Sequence, residues 1–361
     1  MKKICAVFLM VSLALFWSSI GSATERDDLG WYTLVERESD RVVTMTARIL
    51  EPGDSYIAWD NRRFEVTEIE GDTVHVTYTE TIELPEITDD VLRTQTGGTA
   101  QNKEMVVGIY HTHNDESYVP SSGTESKEDG RGDILEVGKI LADTMEKAGL
   151  KVIWSDNSHL PHDGQAYARS RRTVAELLQY QPVTLIDVHR DATPPEVYST
   201  EIQGQPATKV RIVVGRQNQN RAANLEYAKR IKAVADKFFP GIIEGIFDAR
   251  GNYNQDLGSR MILLEFGAHT NYLEHASQAA EFFAKVIPAA AGLTSEEAGP
   301  AQQQIAGAAG RSVYWMLGIV AAGIVGFVLL NKEGLGSLKD FFRREAGLPV
   351  ENDDPQQEND S

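Results

Sequence analysis

Residues 106–118 read Val-Val-Gly-Ile-Tyr-His-Thr-His-Asn-Asp-Glu-Ser-Tyr, and this stretch decides the fold. Five apolar or small residues run straight into polar ones. That is the pattern of a central strand covered on both faces, as in an α/β sheet. Ligands in such sheets bind beyond the carboxyl ends of the strands, so His111, His113 and Glu116 stand where a site is expected. His113 and Glu116 are spaced H-x-x-E, which can set an imidazole and a carboxylate around one divalent metal. A catalytic zinc usually takes three protein ligands and keeps a position open. The third candidate is His189, closing the apolar run Val183-Thr-Leu-Ile-Asp-Val-His. His111 and His113 are alternatives, because a strand would point both the same way. Glu125, Glu128 and Asp129 are rival carboxylates, and a solvated acidic loop is the simpler reading of those three.

Working outward, strands alternate with helical patterns. Ile134, Val137, Leu141 and Met145 share one helical face, with Gly149 placed to end it. Strands are expected at 151–155, 183–189, 209–214 and 261–267, with helices around Val174 and Leu178, over 220–239 and over 274–286. The expected fold class is α/β, a mixed or mostly parallel sheet with helices on both faces. Upstream, Phe64-Glu-Val-Thr-Glu-Ile and Thr73-Val-His-Val-Thr-Tyr alternate like half-buried strands about the turn Glu70-Gly-Asp72, which suggests a small β domain. His75 reads there as a surface or packing residue.

The termini carry further expectations. Met1-Lys-Lys3 with an apolar run to Trp17 and Gly21-Ser-Ala23 fits a signal peptide. Val313–Leu330 is 18 residues without a charge, just long enough to span a bilayer, with a buried core helix as the alternative reading. Lys332, Lys339, Arg343 and Arg344 follow it, which places the tail in the cytoplasm. The expected organisation is 1–23 signal peptide, 24–87 small β domain, 88–103 linker, 104–290 catalytic domain, 291–311 tether, 312–331 transmembrane helix and 332–361 cytoplasmic tail. The expected location is the cell membrane, single-pass, with the catalytic domain outside the cytoplasm. The net charge of -18 over 361 residues offers no footprint for nucleic acid. Cys5, the sole cysteine, lies in the N-terminal apolar run, so if that run is removed any zinc site must use His and carboxylates.

Glu265, inside Leu263-Leu-Glu-Phe-Gly267, should not be buried unpaired. Burial raises a carboxyl pKa toward that of a useful general base, while a structural ion pair is the plainer alternative. Arg190, directly after His189, could stabilise an oxyanion or hold its loop.

Tyr110-His-Thr-His-x-x-Glu-Ser-Tyr118, Asp187-Val-His-Arg-Asp-Ala192, Tyr253-Asn-Gln-Asp-Leu257 and Leu264-Glu-Phe-Gly267, in this order, resemble the stage II sporulation protein P family of zinc-dependent N-acetylmuramoyl-L-alanine amidases. The resemblance covers roughly residues 104–290. It implies a peptidoglycan hydrolase that cuts between muramic acid and L-alanine, with zinc at His189 and the His111/His113 motif and Glu265 as catalytic glutamate. Some members also cut stem-peptide cross-links, and the engulfment members act with a lytic transglycosylase. The C-terminal span and tail depart from the usual family layout. Two other classes fit the same residues, a zinc carboxypeptidase or endopeptidase acting on stem peptides and a non-catalytic cell-wall-binding membrane protein.

Overall fold

The computed structural model describes residues 30–87 and 106–291. The chain opens with five strands, β1 (Tyr32–Glu36), β2 (Arg41–Thr46), β3 (Ser55–Ala58), β4 (Arg62–Glu70) and β5 (Thr73–Thr81). Alternating burial in β4 and β5 follows the side-chain period of a half-covered strand. Gly71, at φ 59°, makes the turn between them.

Strands and helices then alternate. β6 (Val106–Tyr110) leads through a loop to helix α1 (Ile134–Lys147) and β7 (Lys151–Trp154), then α2 (Ala166–Leu178) and β8 (Thr184–Asp191). A short hairpin follows, β9 (Ser199–Ile202) and β10 (Gln205–Thr208). β11 (Val210–Gly215), α3 (Arg221–Phe238), β12 (Ile243–Ala249), β13 (Met261–Ala268) and α4 (Leu273–Ala290) complete the fold. Gly149, at φ 89°, follows α1, and Pro240 stands just beyond α3.

Among the described residues one 11-stranded sheet runs β2-β1-β5-β4-β3-β12-β11-β13-β8-β6-β7. Its last four strands are parallel to one another. β13 is antiparallel to β11, so the sheet is mixed. The expected mixed α/β class is therefore present, with helices on both faces. α1, α3 and α4 pack on one face against Ile186, Val188, Ile212 and Leu264. On the other face α2 brings Val174 and Leu177 onto Leu185 and Tyr110. The strands expected as a small β domain at 24–87 continue this same sheet, because β3 pairs with β12. β12 and the β9–β10 hairpin carry too few alternating apolar residues to stand out in the sequence.

The expected single-pass membrane placement is corrected here. Among the described residues no helix is long and apolar enough to cross a membrane. The longest, α3 and α4, have 18 residues each and are amphipathic, with one face on the sheet. The segments 1–23, 88–103, 312–331 and 332–361, and all but the first residue of 291–311, lie outside the described residues.

Gly245 marks the junction of the two sets of strands. A Cβ there would overlap the ring of Tyr56, whose hydroxyl donates to the Glu244 carbonyl at 2.9 Å. Gly245→Ala should therefore lower stability by about 1–3 kcal/mol, the usual cost of overpacking. A urea midpoint equal to wild type would show that this junction accommodates a methyl group.

Candidate active site

The site begins where β6 ends. After Tyr110 the chain leaves the extended conformation and turns over residues 112–115. Asp187 on β8 fastens that turn, accepting from the Thr112 backbone N–H at 2.8 Å and the Thr112 hydroxyl at 2.7 Å. Asn114 ties the far side, donating to the Gly130 carbonyl at 2.6 Å and accepting from the His159 N–H at 2.8 Å. Gly132 passes so close to the backbone of Asp115 and Glu116 that any side chain there would collide with it. Glu116 is thus placed by backbone contacts rather than by its own rotamer alone.

His113, Glu116 and His189 converge. Their ligand atoms all lie within 4.8 Å of one another, and the three residues are buried. Glu116 Oε1 stands 3.2 Å from His189 Nδ1 and 3.5 Å from His113 Nδ1. His189 Nε2 faces Asp187 Oδ1 at 3.0 Å, the carboxylate–imidazole arrangement that fixes a ligating histidine. Glu116 Oε2 accepts from the Arg190 backbone N–H at 2.9 Å. His113 Nδ1 is buried with no hydrogen-bond partner, as a nitrogen reserved for a cation would be.

The electrostatics point the same way. Burial pushes His113 down to about 4, so its imidazole is neutral at neutral pH and free to ligate. Burial works against a charged Glu116, but His189 and Arg190 outweigh it and hold the carboxyl well below its ordinary range. Burial also opposes a charged His189, and Asp187 and Glu116 overcome it, carrying the imidazole well above its usual value. Two buried carboxylates therefore demand positive charge at this point. A divalent cation satisfies that demand with the donor types zinc prefers. Rings close the pocket, with His162 stacked on His113 at 4.1 Å and Tyr167 edge-on at 5.5 Å.

His111 is not part of this group, which corrects its place among the metal candidates. Its Nδ1 lies 3.1 Å from the Val188 carbonyl, and its Nε2 accepts from Trp154 Nε1 at 3.1 Å. A Cβ on Gly138 of α1 would strike its ring. The strand parity that would align His111 with His113 is lost at the turn. Glu125 offers the site its backbone carbonyl, which accepts from Arg190 Nη2 at 3.1 Å and from the Ser117 N–H at 2.7 Å. Glu128 and Asp129 are exposed. Arg190 is buried beside Glu116, its guanidinium directed to the loop at Glu125.

Glu265 stands in register with His189 on the neighbouring strand, one strand spacing away, about 4.8 Å. A bulge follows it, with Gly267 at φ 77°. Its carboxylate is fully buried and paired. Arg48 Nη2 donates to Oε1, and the Tyr198 hydroxyl donates to Oε2 at 2.9 Å. Arg211 Nη1 lies 3.7 Å from Oε2 while also holding Asp191 and, through Nε at 2.6 Å, Glu244. Burial raises the Glu265 pKa, and Arg48 acts against that rise. Sequence reasoning did not single out Arg48, Tyr198 or Arg211. A charge inside Val210-Arg-Ile-Val-Val214 was the available signal for Arg211, the same kind that marked Glu265. Arg48 lies in irregular chain between β2 and β3 and carried no local signal.

Comparison with known proteins adds family membership. The family described as Stage II sporulation protein P (SpoIIP) matches residues 56–288. Stage II sporulation protein P of Bacillus subtilis (strain 168) is 34% identical over 206 residues, 51% of this chain and 50% of the relative. The chain thus spans about half the length of that curated relative. Among solved structures, the N-acetylmuramyl-L-alanine amidase Ami1 of Mycobacterium smegmatis aligns with TM-score 0.38 and 12% identity, over 53% of this chain and 98% of its own. The CwlD amidase of Clostridioides difficile, solved in complex with the GerS lipoprotein, aligns with TM-score 0.36 and 14% identity, over 52% and 95%. Likeness at that level carries no argument about chemistry. The family match spans more than half of the chain and includes His113, Glu116, His189 and Glu265, and the chain belongs to the stage II sporulation protein P family.

Proposed function

We propose that this chain is a zinc-dependent N-acetylmuramoyl-L-alanine amidase that cuts peptidoglycan, acting in sporulation or cell-wall remodelling. The observation that carries this reading is the buried His113–Glu116–His189 group with Asp187 behind His189 and Glu265 on the next strand. Its cofactor is one Zn2+, held by His113, Glu116 and His189. The ion supplies a Lewis acid that polarises the scissile carbonyl and makes water a better nucleophile.

The chain's own residues do the rest. Glu265 accepts a proton from the attacking water as the new C–O bond forms. It returns that proton to the alanine nitrogen as the C–N bond breaks, which is general base and then general acid work. Arg190 places positive charge beside the ligand loop, where it favours negative charge developing on the carbonyl oxygen. Asp187 fixes the ring of His189, and the His113–Tyr167–His189 ring contacts keep bulk water from the reacting atoms. A lytic transglycosylase partner belongs to this proposal through the family alone.

Digestion of purified sacculi tests the reading directly. Mass spectrometry should find new N-terminal L-alanine on freed stem peptides. New termini within the stem peptides would make the chain a carboxypeptidase or endopeptidase instead, and binding without new termini would make it a wall-binding protein. His189→Ala should lose stoichiometric zinc and activity together, and a purified variant with full zinc by elemental analysis would refute the ligand set. Glu265→Gln keeps the shape but cannot take the proton. It should retain zinc while turnover falls by about 10²–10⁴-fold. Because it also breaks a buried ion pair, its melting temperature should fall, a pair of this kind costing about 3–5 kcal/mol when one partner is removed. Full turnover in Glu265→Gln would leave Glu265 with a structural role only.

A further inference from the structure

The family match begins at residue 56, yet one of the cations on Glu265 comes from before it. Arg48 is buried, in the short connection between β2 and β3. Several contacts hold that connection on the polar face of the sheet. The Ala47 N–H donates to Asp191 Oδ1 at 3.1 Å, and the Arg48 N–H donates to Thr46 Oγ1 at 3.2 Å. Arg211 Nη2 donates to the Met45 carbonyl at 2.8 Å. The Arg48 guanidinium itself lies 5.0 Å over the ring of Tyr253 and reaches Glu265 Oε1.

These contacts define a division of labour. Arg211 is shared among Asp191, Glu244 and Glu265, and Glu265 is the most distant of the three, at 3.7 Å. Tyr198 is likewise shared between Asp191 and Glu265. Arg48 is the cation in direct contact with the Glu265 carboxylate. Tyr198 on one oxygen and Arg48 on the other set the plane of that carboxylate, as a two-point contact does for a planar group.

We propose that Arg48 is a positioning residue for Glu265, so that the site is completed by the β2–β3 connection, outside the segment that matches the family. The proposal rests on the amidase reading above. It gives the N-terminal strands a function, which is to carry a guanidinium to the base of a site built on β6, β8 and β13.

The test uses the full-length chain, zinc content, melting temperature and release of N-terminal L-alanine from sacculi. Arg48→Gln removes the charge with little change in length, and Arg48→Lys keeps the charge but loses the fork. With zinc unchanged, turnover in Arg48→Gln should fall about 10–100-fold, as for other residues that orient a reacting group, with Arg48→Lys between it and wild type. In a Glu265→Gln background, Arg48→Gln should cost almost nothing further in turnover, whereas a residue that only supports the fold would lower activity in both backgrounds alike. Wild-type turnover in Arg48→Gln overturns the proposal. A rise above wild type also overturns it and makes Arg48 a clamp that holds Glu265 idle. Should Arg48→Gln not fold, Arg48→Lys decides: reduced turnover with full zinc supports the positioning role, and wild-type turnover refutes it. If wild type itself releases no alanine, the amidase reading fails first and takes the role of Arg48 with it. An active wild type with an indifferent Arg48 defeats this inference alone.

Discussion

A carboxylate taken out of water must meet a cation or give up its charge. Around the site that constraint falls on Glu116, in the loop after β6, and on Asp187, Asp191, Glu244 and Glu265 in the sheet, all of them buried. They separate into two groups. Asp191, Glu244 and Glu265 share Arg211 and Arg48. Glu116 and Asp187 flank His189, with the Arg190 N–H on Glu116. The first group is matched by guanidinium, which is always charged. The second is matched by an imidazole, which is not. A cation in place of the imidazole's proton would satisfy the second group without disturbing the first, so the proposed ligand set and the proposed base make separate demands on the sheet.

Much of this was legible in the sequence because strands that are covered on both sides announce themselves. Val106–Tyr110, Val183–His189 and Met261–Gly267 are apolar runs, and the charged residues within or just beyond them are conspicuous by contrast. That contrast located His113, Glu116, His189 and Glu265. It could not separate His111 from His113, because the decision lies in the turn at 112–115 that Asp187 fastens. A strand would have kept the two rings together. The turn sends one to the metal-type group and the other to Trp154 and Val188.

The N-terminal strands show a different limit. Their alternation suggested a small β domain but not its destination, since β3 pairs with β4 on one side and with β12, nearly two hundred residues later, on the other. Pairing at that separation depends on complementary edges and on details such as the missing side chain at Gly245 beside Tyr56. Arg48 reached the site through that long-range pairing. Its partner, Glu265, was visible, and burial of Glu265 required a cation, but no pattern in the sequence said which of 35 lysines and arginines would supply it.

Strand β8 sets the spacing of the whole face. Asp187, His189 and Asp191 alternate with Ile186 and Val188, which enter the core against α1 and α4. Successive residues on one face of a strand lie about 6.6 Å apart. His189 therefore sits midway between the carboxylate that fixes its ring and the carboxylate that joins the arginine network. Pairing with β6 on one side and β13 on the other fixes this register, placing Asp187 beside Tyr110 and His189 beside Glu265. A slip of one residue would drive three ionisable groups into the apolar core and bring Ile186 and Val188 onto the polar face. Burying each of those groups unpaired would cost several kcal/mol, against a total stability for a domain of about 5–15 kcal/mol. The hydrophobic face of β8 thus holds the register of its polar face, and the geometry of the site follows from the packing on the opposite side of the sheet.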